Sequence, residues 1–115
     1  MRLVDGDTAY SGRVEIFYNG EWGTVCDDLF GDVSAIVVCA QLGFSGGQEM
    51  PKAYYGQGSG TILMDDVQCE GSESELGHCP HRGWGSENCG HSEDVGVVCG
   101  KGYIFIFASI FSEKN

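Results

Sequence analysis

Basic side chains are scarce in this sequence: six Lys and Arg stand against seventeen Asp and Glu, a formal net charge of −11. Residues 1–100 alone hold four basic and sixteen acidic side chains, so the acidity belongs to the body of the chain. A field of that sign repels phosphate backbones and anionic lipid, which argues against nucleic-acid partners and favours cations and basic protein surfaces. Large apolar residues are few as well. Leu, Ile, Val and Phe number 21 in the first 100 residues, barely above the roughly 20% below which chains tend to stay disordered. The apolar run Tyr103–Phe111 has nine residues, far short of the ~20 that cross a bilayer as a helix, so direct membrane insertion is not expected. There is no C-x-x-C, which removes a zinc ribbon and a thioredoxin-like redox site. No H-x-x-x-H, H-E-x-x-H or nucleophile elbow accompanies His78, His81 and His91, so the chain is not expected to be an enzyme. Neither Asn19 nor Asn88 begins an N-x-S/T glycosylation acceptor.

Glycine and cysteine are plentiful instead, with 19 and 6 residues among 115. Cys26, Cys39, Cys69, Cys79, Cys89 and Cys99 are even in number and widely spaced. With so thin a core, they imply a disulfide framework formed in an oxidising compartment. Spacing alone leaves 15 possible pairings. Met1-Arg2-Leu3-Val4 shows no apolar signal-peptide stretch. Export and its missing signal are reconciled if the chain is a piece of a longer extracellular protein, or comes from an incompletely read gene.

Residues 12–18 alternate, with Val14, Ile16 and Tyr18 on one face and Arg13, Glu15 and Phe17 on the other, the period of a strand. Asn19-Gly20 then precedes Trp22–Cys26, a strong hairpin signal because both turn residues take positive φ. Between 32 and 42, Val33, Ile36, Val37 and Ala40 follow a helical period, with Asp32 as N-cap and Gly43 as stop. Residues 45–61 read as loop with at most a short strand near 49–54; short strands are expected at Ile62–Val67 and at Val95–Cys99, and loop over 70–94. Gly56, Gly58 and Gly60 read as turn residues and not as a phosphate cradle, since no helix signal follows them. Trp22 and Trp84 read as packing residues. The run Tyr103–Phe111, rich in Phe and Ile and free of charge, is an aggregation-prone β segment if exposed.

Several strings, in order, resemble the scavenger receptor cysteine-rich (SRCR) family. They are Gly20-Glu21-Trp22-Gly23-Thr24-Val25-Cys26-Asp27-Asp28, Val38-Cys39-Ala40-Gln41-Leu42-Gly43 and Gly56-Gln57-Gly58-Ser59-Gly60. Further along come Leu63-Met64-Asp65-Asp66-Val67-Gln68-Cys69, Trp84-Gly85 and His91-Ser92-Glu93-Asp94-Val95-Gly96-Val97. The quoted strings run from Gly20 to Val97 and the resemblance covers residues 2–100, so the expected organisation is a domain over 1–100 and an apolar tail over 101–115. The resemblance implies a compact, disulfide-stapled α+β fold, a curved antiparallel sheet cradling one short helix at about 32–42. It implies the pairing Cys26–Cys89, Cys39–Cys99 and Cys69–Cys79, the six-cysteine group A pattern. The eight-cysteine group has a further bridge where this chain has Tyr10 and Phe44, whose rings are expected to meet in its place.

The same resemblance points to divalent-cation sites. Asp27, Asp28 and Glu93 match one set of ligands, and Asp65, Asp66 and Asn88 a second. Carboxylate clusters of this kind suit hard cations, Ca²⁺ or Mg²⁺, although Asp also serves turns by accepting backbone N–H bonds. The implied function is non-enzymatic: an extracellular module, or part of a membrane protein's ectodomain, binding protein or microbial-surface ligands. Some family members bind polyanions through a basic cluster. Here only Arg2, Arg13, Lys52 and Arg82 are available in residues 1–100, so a bridging cation is the route left to an anionic ligand. The alternatives are a structural or adhesive spacer, or an accessory domain of a protease. In each case other domains of a longer parent chain are expected.

Overall fold

The computed structural model describes residues 1–103, with side chains through Gly100. Six strands and one helix occupy that span: β1 (Arg2–Asp5), β2 (Ser11–Tyr18), β3 (Glu21–Val25), α1 (Gly31–Gln41), β4 (Phe44–Met50), β5 (Ile62–Met64) and β6 (Gly96–Tyr103). Single turns of 3₁₀-helix lie at Leu76–His78 and His91–Glu93. The sheet runs β4-β6-β2-β3-β5, with β1 added along β2.

β2 organises the sheet. It pairs with β1 over Gly12–Glu15, with β6 over Ser11–Arg13 and with β3 over Glu15–Tyr18. The β2–β3 hairpin turns on Asn19 (φ 53°) and Gly20 (φ 88°), the left-handed pair that matches strand twist. One contact departs from the antiparallel expectation. β3 and β5 run parallel, with Thr24 opposite Ile62 and Val25 opposite Met64. A parallel pair needs a long crossover, and α1 and β4 lie within it. The fold is therefore a curled mixed sheet, a half-barrel, closed over one helix.

The helix forms where expected but is rotated about its axis. Ser34, Ala35, Val37, Val38 and Cys39 are buried, whereas Val33 and Ile36, placed inside by periodicity, are 46% and 41% exposed. Gly47 of β4 causes much of this, because a Cβ there would stand 2.6 Å from the Ala35 carbonyl carbon and the Ile36 nitrogen. Only glycine lets β4 lie this close to the helix backbone. Asp32 does not cap its own helix. Its Oδ1 accepts the Glu49 N–H at 2.9 Å, while Glu49 Oε1 accepts the Gly31 N–H at 3.2 Å. That reciprocal clasp ties the start of α1 to β4.

The core joins Val14, Ile16 and Val25 of the hairpin to Val37 and Val38 of α1 and to Leu63, Met64, Val67, Leu76, Val95 and Val97. Three disulfides staple its margins, Cys26–Cys89, Cys39–Cys99 and Cys69–Cys79, the pairing the resemblance implies. Tyr10 and Phe44 meet with ring centroids 6.2 Å apart. β6 continues beyond Cys99, bringing Tyr103 opposite Phe44. The remainder of the apolar run, 104–111, lies outside the described residues.

Candidate functional site

Five of the candidate ligands come from three segments that the fold gathers at one edge. Asp27 and Asp28 follow β3, Asp65 and Asp66 follow β5, and Glu93 closes the second 3₁₀ turn. Parallel pairing of β3 with β5 sets the first two segments side by side. The Cys26–Cys89 bridge and the Asp27 N–H donated to the Glu93 carbonyl at 2.8 Å bring in the third.

Asp28 stands in the middle. A carboxylate oxygen of Asp28 lies within 4.8 Å of one on Glu93, and likewise within 4.8 Å of oxygens on Asp65 and Asp66. Parts of the two sets suggested by the sequence thus adjoin: through Asp28, Glu93 of the first stands in one row with Asp65 and Asp66 of the second. The Cys26 and Cys89 sulfurs also border it, but a disulfide offers no thiolate to a metal. Burial, then the carboxylates of Glu93, Asp65, Asp27 and Asp66, push the Asp28 carboxyl above its ordinary range. A divalent cation would relieve that repulsion, and an all-oxygen donor set fits a hard ion.

Asp27 and Asn88, and within the row Asp65 and Asp66, have other partners as well. Asp27 Oδ2 accepts the Lys52 N–H at 2.7 Å, holding the 51–55 turn. Asp65 is buried and accepts the N–H groups of Asp66 (2.7 Å) and Asn88 (3.0 Å). Asn88 is therefore brought against Asp65 through its backbone. Asp66, at φ 55°, faces Arg82 at 3.9 Å.

Beside the row lies a polar network whose structural weight the sequence did not disclose. His91 Nδ1 is 2.9 Å from Asp94 Oδ2, and its Nε2 is 2.9 Å from the Gly60 carbonyl. Both ring nitrogens thus face acceptors, an arrangement complete only when the ring is protonated. Burial pulls the His91 pKa down, but the bonds to Asp94 and Gly60 outweigh it and the net shift is upward. Asp94 itself is buried; Oδ2 also accepts the Gly58 N–H at 2.7 Å, while Oδ1 has no partner among the described residues. Arg13 and Glu15, on the face of β2 opposite Val14 and Ile16, are buried as well. Arg13 pairs with Glu15 at 3.0 Å and Asp5 at 3.1 Å, and Arg2 reaches Glu15 at 2.7 Å. Only the β1–β2 register, which sets Arg2 opposite Glu15, reveals this ladder.

A disulfide-stapled half-barrel bearing an acidic row at one edge defines a class of small extracellular-type module. The profile of the scavenger receptor cysteine-rich domain matches residues 4–100, and the chain belongs to that family. It is 53% identical over 100 residues to a scavenger receptor cysteine-rich domain superfamily protein of Patiria pectinifera and, to the same degree, to galectin-3-binding protein of Pongo abelii. The match covers 86% of this chain but 9% and 17% of those proteins. Among solved structures, the third SRCR domain of murine neurotrypsin superposes with TM-score 0.79 at 49% identity, covering 85% of this chain and 92% of that one. The dimeric form of the SRCR domain of mouse MARCO gives 0.75 at 44%, covering 87% and 94%. SRCR domains are typically extracellular, non-enzymatic binding modules of receptors and secreted proteins.

Proposed function

We propose that this domain is an extracellular ligand-binding module in which the row around Asp28 takes up Ca²⁺ or Mg²⁺, and through it an anionic group of a protein or microbial-surface ligand. The observation that carries the reading is the convergence of carboxylates from three segments on Asp28, whose pKa is pushed upward by burial and then by those neighbours. Asp28 with Glu93, and Asp28 with Asp65 and Asp66, would supply oxygen ligands; Asp27 and Asn88 complete the two sets. Three disulfides support an oxidising, extracellular setting. The short share of the relatives' length that the chain spans supports a parent protein with other domains.

Thermal denaturation tests the cation directly. At about 10 mM Ca²⁺ and a Kd of about 1 mM, ordinary for extracellular modules, binding to the folded state adds about 1.4 kcal/mol. The midpoint should then rise by several degrees beyond any rise in NaCl of equal ionic strength. Asp28→Asn should abolish the increment, and Asp7→Asn, at an exposed position outside the row, should preserve it. No increment over NaCl would overturn the cation reading. Binding to an array of microbial and host ligands should then be lost with a chelator; a spacer domain would show no ligand at all.

A further inference from the structure

We infer that a second surface, the cleft between the end of β2, the end of α1 and the turn at residues 75–78, docks an arginine side chain from a basic segment of a partner protein. The cleft encloses about 320 Å³ and is lined by Phe17, Tyr18, Gln41, Glu75, His78 and Trp84, among others. That volume is at the small end of ligand pockets, room for one side chain more than for a large molecule.

Its walls are built and held. Tyr18 and Trp84 are stacked, with centroids 3.9 Å apart and planes within 6°. Gln41 Oε1 accepts the Leu76 N–H at 2.8 Å, fixing the helix end against the turn. Glu75 is exposed at the rim, and its carboxylate has no hydrogen bond or ion pair among the described residues. Aromatic rings beside an uncommitted carboxylate suit a planar guanidinium, which stacks on aromatic rings and hydrogen-bonds carboxylate.

The chain already uses this pairing on the neighbouring surface. The Arg2 guanidinium carbon lies 3.9 Å from the centroid of the Trp22 ring, while Arg2 Nε and Nη2 donate to Glu15 Oε1 at 2.9 and 2.7 Å. In the cleft the rings and the acid are present and no basic residue of the described chain pairs with Glu75. The charge of residues 1–100, sixteen acidic against four basic side chains, draws a basic segment toward it. This inference is independent of cation binding, since no carboxylate of the row around Asp28 lines the cleft.

The probe is the blocked tripeptide acetyl-Gly-Arg-Gly-amide, with the uncharged citrulline tripeptide as its isostere. The full chain, in EDTA so that the acidic row holds no cation, is followed by NMR at its two indole N–H resonances, assigned with Trp22→Phe. The arginine peptide should shift the Trp84 resonance with a millimolar midpoint. The citrulline peptide should need about fivefold more, and Glu75→Gln should weaken the arginine peptide by about three- to tenfold, as expected for one exposed charge-assisted contact. Raising NaCl from about 20 to about 200 mM should weaken it further. Equal response to both peptides, a response confined to Trp22, or no response would overturn the inference. Loss of the effect in Asp28→Asn with retention in Glu75→Gln would move the binding to the acidic row and overturn it equally. Glu75 is exposed and its side chain makes no bond in the fold, so Glu75→Gln keeps the test readable.

Discussion

A carboxyl group crowded by others, as Asp28 is, is held in its charged form at a cost to the fold. Its pKa is raised by burial and then by Glu93, Asp65, Asp27 and Asp66, so stability present at low pH is lost as pH rises through the folded value. In EDTA at neutral pH, Asp28→Asn should therefore raise the melting midpoint slightly, within the ~0.5 kcal/mol usual for surface changes. In Ca²⁺ the order reverses, wild type melting above the variant. His91 also has a raised folded pKa, but as a base it is favoured when charged. Its contribution is complete below the unfolded value of about 6.5 and fades as pH rises through the folded value above it. Melting midpoints in EDTA should fall as pH rises above about 6.5, the unfolded value, and His91→Gln should flatten that slope. An equal slope in the variant would assign the titration elsewhere.

At the scale of elements, two glycines of one hairpin separate backbone strain from steric exclusion. Gly20 has φ 88° and open space around an added Cβ, so Gly20→Ala should cost about 1 kcal/mol of left-handed strain alone. At Gly23 a Cβ would stand 2.4 Å from the Thr61 carbonyl oxygen and 2.6 Å from Leu63 Cγ. Gly23→Ala must push β5 off β3 and should cost about 2–3 kcal/mol. Urea midpoints for the two variants check the order. Because the β3–β5 contact aligns Asp28 with Asp65 and Asp66, Gly23→Ala should also weaken Ca²⁺ stabilisation, while Gly20→Ala should not. The helix shows how an element's existence and its orientation have different origins. Periodicity and Gly43 mark its span well, but Gly47 and the Asp32–Glu49 clasp set which face turns inward.

For the whole molecule, the disulfides carry unequal loads. Cys26–Cys89 and Cys39–Cys99 span 63 and 60 residues, Cys69–Cys79 only 10. The chain-entropy model gives about 4.3 kcal/mol for each long bridge and about 2.7 kcal/mol for the short one. Small domains have about 5–15 kcal/mol of net stability. The double variant Cys69→Ala/Cys79→Ala should accordingly stay folded with a lower midpoint, whereas Cys39→Ala/Cys99→Ala should be largely unfolded at 37 °C. Circular dichroism melts of the two proteins decide it. A short-bridge variant less stable than the long-bridge one would show that the 69–79 loop holds the core through packing at Leu76, and not through chain entropy.

Local physics made much of this legible in the sequence. Asn19-Gly20 between alternating runs requires a left-handed turn, and the alternation before it requires a strand, because both signals act between near neighbours. The cysteine count and the acidic excess likewise imposed a stapled, cation-attracting domain before any contact was known. Motifs such as Cys26-Asp27-Asp28 and Asp65-Asp66 named the acidic residues, but their sharing of Asp28 depended on β3 lying parallel to β5 across a long crossover. The burial of Arg13 and Glu15 depended on β1 supplying Arg2 and Asp5 in register. The Tyr18–Trp84 stack joins residues far apart in the chain. Each of these needs chain segments to meet at a distance that period and propensity do not encode, since both are summed over neighbours within one element. That is why the residue types could be read from the sequence, and why only the tertiary structure decided which of them stand together.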